Sequence, residues 1–487
     1  MPKHPADCGC SRRTFLKGSG LTLAGFGLTS LFPGAIMRHA MAAGGNDNRF
    51  MFIFLRGGND GLNTVIPHGD PDYNVTNRGA IYIDPVDAID LNGFASLHPG
   101  LADLMDSYNA GDLAVIHQAG YPYASASHFD GQRIWENGNP ADSQSLEGWL
   151  YRTIVENSFT DGAVVPAISA QSNQPVLLRG SRPFINVADP DNFDLSLPFL
   201  GEPLRTKVVQ SWPPHFAGLQ GLAPYGPILA RTGLEIASFV SEFDAWDQAG
   251  WDPKDPDNPT WSLFPVSFAT NPDDPSGPNG KKFRAGSYQF FQDLKICALA
   301  SLESDPASNA NGTSVTGTQL AGWDLHTGQG GVGGRHHELL SWLAYGMRSL
   351  RIVLSGAALD PRNYTSVWDK TVISTMSEYG RTSSYNGNGG TDHGKASCLL
   401  AQGGAVNGGV YLCDGSSWPT GTMYSVGSGP GTGVKRYVAP GVDFRSIFWE
   451  IMRDHLGASP ASVEATFPGY TAQGLASQEL GFINSMP

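Results

Sequence analysis

Two Asp/His pairs in the second half of the chain have the residue types and spacing of metal ligands. In Gly322-Trp323-Asp324-Leu325-His326 the two polar residues lie two apart. In an extended segment both project from one face, where they can reach a single ion or simply hydrogen-bond to each other. In Gly390-Thr391-Asp392-His393-Gly394 the pair is adjacent and flanked by glycines, the form of a loop whose backbone turns both ligands inward. Nearer the start, Gly57-Gly58-Asn59-Asp60-Gly61 follows an apolar run, so Asp60 is either a ligand at a strand end or ordinary turn chemistry. Ala126-Ser127-His128-Phe129-Asp130 opens a helical pattern. Ser127 there is a helix cap, or, among free backbone N–H groups, a nucleophile or an anchor for an anionic substrate group. Asp60, Asp324, His326, Asp392 and His393 together suit zinc, manganese or another divalent ion such as calcium or magnesium.

The elements that must position these residues alternate between strand and helix. Continuous apolar runs over Arg49 to Leu55, Leu113 to Ile116, Val164 to Ile168, Leu350 to Leu354, Thr371 to Met376 and Ala396 to Ala401 predict strands buried on both faces. Helical patterns over Leu97 to Ala110, Phe129 to Asn137 and His337 to Ser349 lie between them. The predicted architecture is α/β, a largely parallel central sheet between helical layers. In such sheets a ligand sits beyond the C-terminal strand ends, where Asp60 would lie, and Glu378-Tyr379-Gly380-Arg381-Thr382 leaves another strand toward the same region. Stretches 251–282, rich in Pro, Asp and Asn, and 303–319, rich in Ser, Asn and Gly, are predicted loop insertions in one domain spanning 43–487.

The N-terminus predicts export. Ser11-Arg12-Arg13-Thr14-Phe15-Leu16-Lys17, a Gly-rich apolar stretch to Met37 and the small residues Ala40-Met41-Ala42 form a twin-arginine signal over 1–42. This places the folded protein in the periplasm or outside the cell, with the twin-arginine translocase as its transient partner and membrane contact only during export. A retained anchor is the alternative, weakened by Gly20, Gly25, Gly27 and Pro33. Without residues 1–42 the chain carries 26 basic against 44 acidic residues, a net charge near −18 that argues against nucleic acid. Cys297, Cys398 and Cys413 remain. Cys398 and Cys413 can pair across neighbouring strands or stay as buried thiols.

The leader, Arg56-Gly57-Gly58-Asn59-Asp60-Gly61-Leu62-Asn63, Ser127-His128-Phe129-Asp130, Gly148-Trp149-Leu150, Trp323-Asp324-Leu325-His326, Glu378-Tyr379-Gly380-Arg381-Thr382 and Gly390-Thr391-Asp392-His393-Gly394 together resemble domain-of-unknown-function family 1501. That family is grouped with the alkaline phosphatase superfamily, so the resemblance implies an alkaline-phosphatase-like fold and a two-metal hydrolase of phosphate or sulfate esters. On that pattern one ion would be held by Asp60, Asp392 and His393 and would activate the Ser127 hydroxyl. A second would sit on Asp324 and His326, and Arg381 would clamp the transferred group of a small anionic ester. The sequence departs from the superfamily in separating Asp324 from His326 by one residue instead of three. It also leaves the last ligand of the second ion open among Glu378, His128 and His337. The rival expectation is a non-catalytic envelope protein that keeps the fold and one structural metal.

Replacing Arg12 and Arg13 by Lys is expected to leave precursor in the cytoplasm. Fractionation of a host with an active twin-arginine translocase checks this, and an unchanged periplasmic yield would overturn it.

Overall fold

The computed structural model describes residues 48–122, 124–157, 159, 167–181, 184–188, 217–218, 250–267, 283, 285–302, 314–427 and 433–484. The predicted leader lies outside these residues, as do 268–282 and 303–313 of the predicted insertions.

A nine-stranded sheet organises the chain: β1 (Arg49–Arg56), β2 (Leu113–Gly120), β3 (Ala167–Ala170), β4 (Ile185–Val187), β5 (Val315–Ala321), β6 (Thr371–Met376), β7 (Ser397–Gln402), β8 (Gly409–Tyr411) and β9 (Val442–Asp443). Its order is β8-β2-β7-β6-β1-β5-β3-β4, with β9 also on β2. All ladders are parallel except those of β7 with β2 and β6, so the sheet is mixed and largely parallel. Arg56 pairs with Ala321, and Phe54 with Met376. The three central strands therefore release their loops at one level.

Side-chain alternation along β1 builds two cores. Met51, Ile53 and Leu55 pack on one face with α3 (Ala285–Leu302) and α4 (Arg335–Leu354), while Phe50, Phe52 and Phe54 pack on the other with α1 (His128–Asn137), α2 (Trp149–Asn157) and α5 (Phe444–Glu450). A strand covered on both sides has no polar face, which is why Arg49 to Leu55 reads as unbroken apolar sequence.

Two predicted elements are corrected. Leu350 to Leu354 forms no strand and is the last turn of α4. Leu339, Leu343, Met347, Leu350 and Leu354 continue a spacing of three to four residues and are all buried, while Arg351 falls on the open side. The stretch predicted as a loop to residue 319 becomes β5 at Val315, where buried Val315, Thr316 and Thr318 lie in a strand paired with β1 and β3. Cys297, Cys398 and Cys413 are buried and unbonded, and burial pushes the Cys398 thiol up to about 12. His455 is a core residue whose Nε2 lies 2.9 Å from the Arg49 carbonyl oxygen. Among the described residues no helix is long and apolar enough to cross a membrane.

Gly57 ends β1 at φ +123°, and a Cβ there would lie 2.4 Å from the Asp324 backbone nitrogen. Gly57→Ala therefore combines backbone strain with a backbone clash, and is expected to cost at least about 2 kcal/mol. Urea unfolding of the variant measures this, and an unchanged midpoint would contradict the packing of the β1 and β5 loops.

Candidate metal centre

The loops after β1, β2 and β5 and the single loop joining β6 to β7 meet at one end of the sheet. There the rings of His128, His326 and His393 surround the Asp324 carboxylate. His326 Nε2 lies 3.1 Å and His393 Nε2 3.2 Å from Asp324 Oδ1, and His128 Nε2 lies 3.2 Å from Oδ2. The Nε2 atoms of His326 and His393 are 2.9 Å apart. His128, Asp324 and His393 each present a donor atom within 4.8 Å of the other two.

The opposite ring nitrogens are all engaged. His326 Nδ1 lies 3.0 Å from Asp392 Oδ1, His128 Nδ1 lies 2.9 Å from Glu378 Oε1, and His393 Nδ1 lies 2.6 Å from the Ala126 carbonyl oxygen. A carbonyl only accepts, so His393 carries its proton on Nδ1, and the carboxylates impose the same tautomer on the other two rings. Burial opposes ionisation of Asp392, but hydrogen bonds from Asn386 and His326 outweigh it and hold the carboxyl below its ordinary value. With the proton on Nδ1, each ring in its neutral form turns a bare Nε2 lone pair toward the others and toward the carboxylate.

One proton relieves one such contact, whereas a divalent ion relieves all of them. Ligands about 2.0–2.1 Å from a tetrahedral zinc lie about 3.4 Å apart, close to the 2.9 to 3.2 Å separations here. His128 Nε2 is a buried atom without a hydrogen-bond partner. The donor set, two or three imidazoles and a carboxylate, fits zinc or manganese. Asp324 and His326 have side chains 44% and 41% exposed, so the centre opens to solvent. The hydrogen bond to Glu378 raises the pKa of His128, and burial lowers that of His393.

The remaining predicted site residues stand elsewhere. Asp60 is buried, and its Oδ2 accepts from the Arg78 guanidinium and, at 2.6 Å, from Gln329 Nε2. A carboxylate committed to a buried guanidinium is a structural anchor, and Asp60 is not among the donors that converge on Asp324. Asp392 belongs to the site but stands behind His326 as its orienting carboxylate. Ser127 is the N-cap of α1, its Oγ accepting from the Asp130 N–H at 3.4 Å.

Arg381, expected as a substrate clamp, is engaged within the protein. It is buried, and donates to the carbonyl oxygens of Gly58, Gly57, Trp323 and Thr391 and to Asp324 Oδ1. Its donors are thus committed within the protein. Burial opposes the charge on Asp324, but the Arg381 bond and charge outweigh it and hold the carboxyl at about 2.

His128 and Glu378, left open in the sequence as completing residues, are part of the centre, and Tyr379 was not singled out. Tyr379 Oη lies 2.7 Å from His128 Nδ1 and 3.1 Å from His393 Nδ1. The signal for His128 was its place beside Ser127. At a helix N-terminus one side chain turns back to cap the backbone and the next is free to face the site.

Residues 309–423 match the family model described as Protein of unknown function (DUF1501). This match supports the DUF1501 family. It includes Asp324, His326, Glu378, Arg381, Asp392 and His393 and ends short of Asp60 and His128 on the N-terminal side. No curated protein and no solved structure matches the chain.

Burial raises the Asp60 pKa, but Arg78 outweighs it, so the folded-state value lies below 3.8. The charge therefore contributes stability above 3.8 that is lost as pH falls through the folded value. Asp60→Asn leaves Arg78 unpaired and is expected to cost about 3–5 kcal/mol near neutral pH, with the gap to wild type narrowing in acid. Urea unfolding at about pH 7 and about pH 3 checks the sign, and a gap that widens in acid would refute it.

Proposed function

We propose that this chain is an exported metal-dependent hydrolase of small phosphate or sulfate esters that works through one divalent ion, zinc or manganese, held by His128, His393, Asp324 and His326. The observation that carries this reading is the set of Nε2 lone pairs facing one another and Asp324, each ring held from behind by an acceptor. That arrangement is the usual support of metal-ligating histidines. The ester class comes from the resemblance to the phosphatase superfamily, and the export from the leader.

A divalent ion there would supply Lewis acidity, lowering the pKa of a water or hydroxyl brought to it and stabilising charge on the ester's leaving oxygen. The protein's part is orientation. Glu378, Asp392 and the Ala126 carbonyl keep each Nδ1 protonated and each Nε2 forward. Arg381 keeps Asp324 ionised. His128, His393 and Asp324, with or without His326, would hold the ion, and the exposed side of Asp324 and His326 would leave it open to substrate. Ser127 serves here as the cap that fixes His128, and the second ion and the serine nucleophile are not needed.

The purified protein is expected to hold one ion per chain by elemental mass spectrometry. His393→Ala should abolish this, and Glu378→Gln should weaken affinity roughly 10–100-fold. In a panel of phosphate and sulfate esters on metal-loaded protein, Ser127→Ala should keep turnover within about tenfold and lose about 1 kcal/mol of stability. Two ions per chain, or turnover abolished in Ser127→Ala, would sink the single-ion reading.

A further inference from the structure

A cavity of about 240 Å³ lies against the metal centre, and Asp392 is their shared wall. On one side Asp392 Oδ1 accepts from His326 Nδ1. On the other, Oδ2 stands 3.8 Å from the Arg436 guanidinium, too far for a hydrogen bond. Arg436 lines the cavity half exposed, and its only close side-chain partner among the described residues is the Asp392 carboxylate at that distance, unlike the densely bonded Arg381. Tyr385 and Tyr424 also line the space, with the Tyr424 hydroxyl 2.7 Å from Ser384 Oγ, and Asn386 bridges from the cavity to the His326 carbonyl oxygen at 2.9 Å. The volume is below the usual range of about 300–1,000 Å³ for whole ligands, so it takes a part of one, about a single ring.

We infer that this cavity is a subsite for a carboxylate-bearing ring: the carboxylate on Arg436, the ring against Tyr385 and Tyr424. The planar fork of Arg436 matches a carboxylate bidentately, and the phenol faces supply apolar area for a flat body. Resting on the metal-centre reading for the place of the ester, it makes the preferred substrate an ester whose organic part carries a second, carboxylate charge.

Calorimetric titration of the full chain separates the two ideas with three probes. Benzoate should bind with or without the ion, and Arg436→Gln should weaken it at least about tenfold while Arg436→Lys, which keeps the charge without the fork, should lose less. With the ion present, 4-phosphonobenzoate should bind at least about tenfold tighter than phenylphosphonate, and Arg436→Gln should erase that advantage without changing metal content. Benzoate binding that ignores Arg436→Gln, or no benzoate binding at millimolar concentration, overturns the subsite. Phenylphosphonate that binds equally with and without the ion overturns the ester reading while the benzoate result still judges the cavity.

Discussion

The centre depends on one buried cation. The Arg381 guanidinium sits where the loops after β1 and β5 meet the single excursion between β6 and β7, and it reaches a carbonyl or carboxylate in each of the three. The Trp323 carbonyl oxygen also accepts from the Leu325 N–H, but those of Gly57, Gly58 and Thr391 look to the arginine, and a buried acceptor left without a donor costs about 1–3 kcal/mol. Backbone hydrogen bonds join these loops two at a time, the Trp323 N–H to the Arg56 carbonyl oxygen and the Thr391 N–H to that of Leu325, whereas the guanidinium joins all three at once. The loops can carry ligands at fixed positions because the arginine ties their backbones together. The same guanidinium supplies the charge that keeps Asp324 ionised, so scaffold and electrostatics rest on one side chain.

A second buried pair repeats the arrangement one layer down. Arg78 joins Asp60 to the carbonyl oxygens of Thr382 and Ser383, and Gln329 links Asp60 to Thr391. Asp60 therefore braces the loop that presents Asp392 and His393 from beneath. Its conspicuous place after β1 reflects this bracing.

Much of the sheet was legible because period and burial coincide. Arg49 to Leu55 and Thr371 to Met376 are apolar throughout and sit in the middle of a sheet covered on both faces. Leu350 to Leu354 misled because five apolar residues cannot distinguish a strand from the end of a helix buried nearly all round. The loops of the centre were found from their Asp and His content. What sequence could not show was which cations meet which anions. Arg78 lies in a short helix with no pattern linking it to Asp60, and Arg381 looks the same in sequence whether it faces a substrate or four carbonyls. The sorting of carboxylates also needed coordinates: Asp324 faces the histidine Nε2 atoms, whereas Asp392 and Glu378 stand behind the rings.

The reversed direction of β7 has an evolutionary reading. Because β7 starts where β6 ends, Glu378, Tyr379, Arg381, Asp392 and His393 all lie on one uninterrupted excursion of the chain between two neighbouring strands. His393 and most of the residues that support the rings and Asp324 are thus carried by a single cassette whose two ends are fixed side by side. Such a segment can lengthen, shorten or change its lining, including Tyr385 and Asn386, without moving any strand of the sheet. That stretch can diversify while His128, Asp324 and His326, on the loops after β2 and β5, stay in place.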